Sequence, residues 1–589
     1  MDAAMKTPGL LQGKFIFKKL PNGNLDKTKV ICTLCNAELV YCRSSSSLKY
    51  HLKAKHPLAN VNAGPSTDVA QGKSRRQTTM LECNRAKPVS TALSAKLTNL
   101  LAQWIATSCR PISVVENFGL ELVLQAATGD PFYKLPARRT IMRRIHDQHA
   151  EQKAAKNEKM VEARCVALTG DHWTSINNDN YLGVTVHLID ASWEIHSFTF
   201  GVMKTEQRHF AEACARQFLD VANHWGIADK ISTIGTDSAP NMVAAGRLLP
   251  FEHLPCVAHV VQRAIVMSLR EGGFDGALAK CRKVVGHFKH SPANLDELNV
   301  QQASLGQVQE PLVQDVPTRW NSTLEMIKRV MRNRDALHTT LSQQKHNVAL
   351  PTNAEYEKLA KLEKLLEPCR YITELLGGDK YVSCSVVLPA LCHLQHAMKI
   401  SDDDPAYIVR FKAAFTMDLN QRSEKLNLEW LKVATALDPR FKDLKCLPRA
   451  EREPVWAKLS ELVKGEEPAL QPLGEENPEP PKKKTALLLM GSDSESDEET
   501  PVDNTVERYK VEPCASLDQC PLKWWSEHTA VYGKMAHIAR KYLGTPATTV
   551  PCERLFSLAG HIVQKRRSSL SPENVNKLVC LSEWWKKEK

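Results

Sequence analysis

Cys32-x-x-Cys35 is followed, after fifteen intervening residues, by His51-x₄-His56. Two thiolates and two imidazoles at this spacing close a tetrahedral zinc site with no open position, so the metal is structural. The constraint is strong because the stretch between the pairs must fold back on itself once the metal is bound. That stretch holds a strand-like Glu38-Leu39-Val40-Tyr41, then Ser44-Ser45-Ser46-Ser47 ahead of Leu48 to His56. A serine there can cap a helix that carries both histidines in one wide stripe. Residues 1–60 hold ten Lys/Arg against three Asp/Glu. A compact zinc ββα unit with a basic helix is the electrostatic footprint of a DNA-binding finger, although such a unit also serves protein contacts. Lys49, Lys53 and Lys55 are the candidate DNA contacts, to phosphate if not to base edges.

The chain has 589 residues, too many for one core, and length alone suggests roughly three to four domains. Its net charge of +12 suits a polyanionic partner without requiring one. Its 17 cysteines form no disulfide-like framework, no secretory segment precedes them, and no apolar run reaches the roughly 18 residues of a membrane span. A soluble protein of a reducing compartment, without membrane contact, is expected. Cys165, Cys214, Cys369 and Cys580 read as small core residues. Residues 57–90, polar and poor in apolar side chains, read as a linker. Residues 463–505 include Lys482-Lys483-Lys484 and the acidic serine run Gly491–Thr500, which cannot bury enough surface to fold and can gain charge by phosphorylation. The lysine triplet reads equally as part of a nuclear import signal and as a solvated charge run.

Between these linkers, Arg164–Thr169 is a short strand-type run that ends at Gly170-Asp171-His172-Trp173. Tyr181–Ile189 and Trp193–Phe200 follow as two further strands joined by tight links, an antiparallel meander. His209–Trp225 is helical, with Phe210, Ala213, Cys214, Phe218, Val221 and Ala222 on one side. Lys230–Thr236 is a fourth strand that ends in Asp237-Ser238-Ala239-Pro240. This order of elements is that of a ribonuclease-H-like fold, in which acidic residues on the first and fourth strands face one site. Two carboxylates there can hold a pair of hard Mg²⁺ ions for phosphodiester chemistry. Taken alone, an Asp that follows a strand is more often a turn former.

The surrounding motifs bring in a resemblance that spans almost the whole chain. Arg110–Glu116, Lys134–Thr140, Asp171-His172-Trp173-Thr174-Ser175, Thr236–Met242, Cys256-Val257-Ala258-His259, Asp315–Ser322, Leu437–Lys442, Pro521–Trp525 and Pro551–Gly560 resemble signatures of the hAT superfamily of DNA transposases with an N-terminal BED zinc finger, including ZBED-like transposase-derived relatives. The resemblance implies that Asp171, Asp237 and Glu553 are a catalytic carboxylate triad holding two Mg²⁺ or Mn²⁺ ions. It further implies that His259 lies near the scissile phosphate with Cys256 in structural support, that Arg319 contacts phosphate, and that Trp320 stacks an exposed indole face on a base, with a core tryptophan as the alternative reading of Trp320. A second zinc at Cys256/His259 is not expected, for want of a partner pair. Trp524-Trp525 reads as packing, and Lys565-Arg566-Arg567 as a DNA or import contact or a solvated face. Ser238 stands where Asn is frequent in the family and Pro240 interrupts the Asp237 turn, but neither removes a carboxylate.

The expected fold class is multidomain α/β: an N-terminal ββα BED finger, a ribonuclease-H-like fold interrupted by a large all-α insertion, and a hAT C-terminal dimerisation region. The expected boundaries are 1–60 finger, 61–90 linker, 91–160 helical dimerisation or DNA-binding segment, 161–265 first part of the core, 266–462 insertion, 463–510 disordered acidic linker and 511–589 dimerisation region with the last core helix. Two functions fit this design. One is a nuclear, homo-oligomeric transposase that binds transposon ends on double-stranded DNA and performs metal-dependent cleavage, flank-hairpin formation and strand transfer. The other is a domesticated BED-finger transcription regulator that binds DNA as a dimer without cutting it. A role in SUMO transfer ranks last, because no thioester cysteine is evident.

Overall fold

The computed structural model describes residues 10–11, 13–20, 25–41, 46–56, 88–175, 178–205, 210–317, 319–343, 347–466, 503–563 and 570–587. The chain divides into two compact units, Met1–Arg85 and Ala86–Lys589. Among the described residues no helix is long and apolar enough to cross a membrane. Lys482–Lys484, the acidic run Gly491–Thr500 and Lys565–Arg567 lie outside the described residues, as does most of the 57–90 linker.

The first unit has three antiparallel strands, β1 (Phe15–Lys19), β2 (Leu25–Cys32) and β3 (Glu38–Val40), ahead of a helix at Ser46–Lys55. The ββα expectation is therefore corrected by one strand. β1 precedes β2, whose last residue is Cys32, and β1 supplies Phe15, which packs with Val30, Cys32, Leu48 and Leu52 in the unit's small core. Ser46 opens the helix, while Ser44 and Ser45 lie outside the described residues.

The second unit is mostly helical around one five-stranded sheet of order β6-β5-β4-β7-β8. Its strands are β4 (Val166–Thr174), β5 (Asn180–Ile189), β6 (Ile195–Thr205), β7 (Ile231–Thr236) and β8 (Glu252–Pro255). β4, β5 and β6 form the antiparallel meander expected from sequence. β7 joins β4 in parallel across the Ala211–Trp225 helix, and β8 joins β7 in parallel. β4 runs further than expected, so Asp171 lies within the strand and pairs with Gly183 instead of following the strand end. Pro240 does not disturb the turn after β7; it occupies the first turn of the Pro240–Leu248 helix, where its missing N–H costs nothing.

Two hydrophobic cores fill this unit. One joins sheet residues such as Leu168, Val184 and Ile234 to Phe218 on one side and to Leu555, Leu578 and Trp584 from the C-terminal helices. The other is built from helices between Val257 and Leu543 and includes Leu359, Leu362 and Leu366 on the long Asn353–Leu376 helix. The chain leaves the sheet after β8, traverses these helices, and returns as the Val550–Ile562 helix against β4 and β5 and the Pro572–Lys587 helix against β6. Glycines permit the close approach on both faces of β4/β5. A Cβ on Gly170 would sit 2.3 Å from the Phe218 ring, and one on Gly183 would sit 2.7 Å from Phe556 Cε1.

Several singled-out motifs prove structural. Asp438, fully buried, accepts from Ser385 Oγ at 2.7 Å and from Arg440 Nε at 2.9 Å, and Trp525 donates its indole N–H to Leu437 O at 2.8 Å. Trp524 and Trp525 sit in an aromatic cluster with Tyr509 and Tyr532, as packing. Cys214, Cys369 and Cys580 are buried core residues, whereas Cys165 is only partly buried.

Candidate functional site

In the first unit Cys32, Cys35, His51 and His56 bring one ligand atom each to within 4.8 Å of one another. Cys35 Sγ stands 3.3 Å from His51 Nε2, and Cys32 Sγ 3.6 Å from His56 Nε2. Zn–S bonds of about 2.3 Å and Zn–N bonds of about 2.0 Å at a tetrahedral angle place S and N roughly 3.5 Å apart, so the four atoms are spaced for one zinc ion. Burial, then the neighbouring His56 and Lys55, lowers the His51 pKa and favours the neutral ring that binds metal. Lys49 and Lys55 are exposed on the helix, and the Lys53 side chain lies outside the described residues.

In the second unit a cleft of about 980 Å³ opens where the C-terminal part of β4 meets the starts of the Val257–Glu271, Trp320–Arg332 and Val550–Ile562 helices. Asp171, His259, Arg319, Trp320 and Glu553 line it; Asp237 does not. Asp171 is 9% exposed and accepts the His172 N–H on Oδ1 at 2.8 Å. Burial, then the Asp237 and Glu553 carboxylates, raises its pKa to about 7 against the pull of His259. Asp237, partly buried at the end of β7, accepts from Ala239 N at 3.3 Å. His259 Nε2 stands 4.0 Å from Glu553 Oε1. Burial would lower the His259 pKa, but Cys256, Asp171 and Glu553 together raise it to about 10. Cys256 caps the helix that carries His259 and accepts from Thr549 N at 3.2 Å. Burial would raise its thiol pKa, yet His259 and Thr549 bring it down. Asp171, Asp237, Glu553 and His259 are thus electrostatically coupled. The three carboxylates do not converge to within 4.8 Å of one another; among the described residues only the finger cluster and Asp190/Glu194/His196 do.

Arg319 is exposed at the cleft rim, as a phosphate contact requires. Trp320 corrects the sequence expectation: it is 2% exposed, packs into the helical core and offers no free indole face. Its amide donates to Gln262 Oε1 at 2.9 Å. The segment is held from below by Asp315, which takes a fork from Arg282 at 2.8–3.0 Å and a hydroxyl bond from Thr323 at 3.2 Å.

Several cleft residues escaped the sequence reading. Trp173, two residues past Asp171 and therefore on the same strand face, stacks on Phe556 at 6.2 Å and lines the cleft. Period-two alternation from Asp171 would have found it. Arg554 lines the cleft and donates to Gly377 O at 2.9 Å. Beneath the cleft, Thr169, Thr185, His187 and Cys552 form a buried polar set. Burial pushes the Cys552 thiol up to about 12 and takes His187 down to about 3, so both are neutral. Nothing in sequence spacing marks this set, because it joins residues more than 360 positions apart.

Comparison with known proteins matches four stretches of the chain to known domains. Residues 16–57 match the BED zinc finger, 169–255 the ZBED1 RNase-like domain, 254–365 the ZBED1 RNase-like helical domain and 505–585 the hAT family C-terminal dimerisation region. The putative AC transposase of Zea mays is 24% identical over 581 residues, which cover 92% of this chain and 70% of that protein. The putative transcriptional regulator tpeD of Talaromyces stipitatus is 22% identical over 610 residues, 94% of this chain and 69% of the relative. Zinc finger BED domain-containing protein 4 of Homo sapiens is 22% identical over 603 residues, 94% of this chain and 50% of the relative. The chain carries a BED zinc finger, RNase-like domains and a hAT C-terminal dimerisation region, as the motif resemblance implied.

Proposed function

We propose that this chain is a hAT-type DNA transposase acting in the nucleus, with 161–265 and the Val550–Ile562 helix forming one ribonuclease-H-like core around a 266–462 insertion. One observation carries the reading. Glu553 lies at the end of a long excursion from the sheet, yet its helix seats on β4 and β5 and its carboxylate raises the pKa of Asp171. Coupled carboxylate oxygens of this kind suit a hard divalent cation. Asp171, Asp237 and Glu553 would hold Mg²⁺ or Mn²⁺. Bound there, such ions activate the attacking oxygen and stabilise the leaving oxygen of a phosphodiester. The chain's own groups do the rest. The finger and its basic helix hold duplex DNA at a transposon end. Arg319 at the rim takes a phosphate and fixes the backbone in the cleft. His259, cationic beside Glu553, offers positive charge to the phosphate. Nicking, hairpin formation on the flank and joining of the transposon ends to a target follow in that order, on a homodimer or larger assembly.

The test is incubation with Mg²⁺ or Mn²⁺ and a labelled duplex that carries terminal inverted repeats from the flanks of the chain's own gene. Nicks and flank hairpins that disappear in both Asp171→Ala and Glu553→Ala are the expected result. A second reading, a DNA-bound transcription regulator without strand chemistry, draws support from Asp237 standing outside the cleft. It predicts retained binding and no cut product from wild type or either variant.

A further inference from the structure

Three buried polar side chains on one face of β4 and β5 meet a single thiol from the far end of the chain. Thr169 and Thr185 are paired in register, bond to each other through their hydroxyls, and lie 3.2 and 3.0 Å from His187 Nε2. Cys552 enters this set with its Sγ 3.3 Å from Thr169 Oγ1, and it donates to Thr169 O at 3.2 Å. Glu553 is the next residue along the helix, and Asp171 lies two residues past Thr169 on the same strand face. The Cys552 thiol, which also faces Gly183 O at 3.7 Å, therefore ties the strand of one carboxylate to the helix of the other. Leu555 and Phe556 already give that helix an apolar seat. Apolar contacts are non-directional and let a helix rotate or slide, whereas a buried hydrogen bond has a narrow range of length and angle.

The geometry points to Cys552 as the residue that positions Glu553 against Asp171 and so sets the affinity of the carboxylate cleft for a divalent cation. This rests on the reading of Asp171 and Glu553 as ligands of such an ion. Cys552 is a positioning residue: it acts through the seat of the helix and touches no reacting atom.

The test is Mn²⁺ binding to the full, zinc-loaded chain, followed by loss of the free-ion paramagnetic resonance signal, with thermal unfolding recorded alongside. Cys552→Ala should weaken Mn²⁺ binding about tenfold, the scale of lost support behind a metal ligand. Cys552→Ser, which keeps a donor at the same place, should recover most of the affinity. Cys281→Ala removes a fully buried thiol from the Asp275–Lys289 helix. It should lower the unfolding midpoint and leave Mn²⁺ affinity unchanged. The inference is overturned if Cys552→Ala binds Mn²⁺ like wild type, or if Cys281→Ala weakens binding as much. Wild type that binds no Mn²⁺ at the cleft would remove the ligand reading itself, and this inference with it.

Discussion

Burial gives single residues their character here, and the histidines show it most clearly. His187 is held neutral by burial with its pKa near 3, and His149 and His253 near 4 for the same first cause. Each depressed value means that below about 6.5 the unfolded chain binds protons that the fold refuses. Stability from these groups is complete above that pH and declines as pH falls toward 4, by about 1 kcal/mol per unit for each histidine. Asp171, raised to about 7, and His259, raised to about 10, work in the opposite direction; the His259 gain is complete below about 6.5, which leaves Asp171 alone against the three histidines there. In metal-free buffer the urea midpoint of the larger unit should therefore drop between about pH 6 and 4.5; a flat midpoint there would contradict the burial of these rings. Some of this was legible before any coordinates. The four zinc ligands were visible because metal geometry dictates their spacing. Trp320 was misjudged because a tryptophan beside an arginine carries no mark of which side of its helix start faces the core.

At the level of elements, the seat of the Val550–Ile562 helix on β4 and β5 decides whether the cleft forms. Gly183 makes room for Phe556: a Cβ built there would sit 2.7 Å from the ring, closer than a side chain can be seated. Gly183→Val should cost roughly 1–3 kcal/mol of unfolding free energy by overpacking, read from urea denaturation, and should weaken divalent-ion binding with it. A variant as stable as wild type would mean that the helix does not rest there. Strand existence and order were legible because alternating and β-branched runs are bounded by turn residues. The ends were not. Hydrogen bonding to Tyr181 and Asn180 carries β4 on to Thr174, past the Gly170-Asp171 pair that looked like a terminus. The polar set of Thr169, Thr185, His187 and Cys552 was invisible, since hydroxyls in a strand look alike whether they face water or each other.

Across the whole molecule, the finger and the larger unit are separate compact bodies, so their losses should be separable. Cys35→Ser should release zinc and abolish duplex DNA binding, while the larger unit's thermal transition stays where it is in wild type. A shift of that transition would show that the two units stabilise each other. In the larger unit, the proposed divalent-ion site draws its carboxylates from β4, the end of β7 and a helix near the C-terminus. Iron(II) placed in the site with ascorbate and peroxide cuts peptide bonds beside the metal, so fragment mapping tests that site most directly. The account predicts cuts clustered around Asp171, Asp237 and Glu553 together, suppressed by excess Mg²⁺ and lost in Asp171→Ala. Cuts near one of these positions without the others, or a pattern that Mg²⁺ does not compete away, would contradict it.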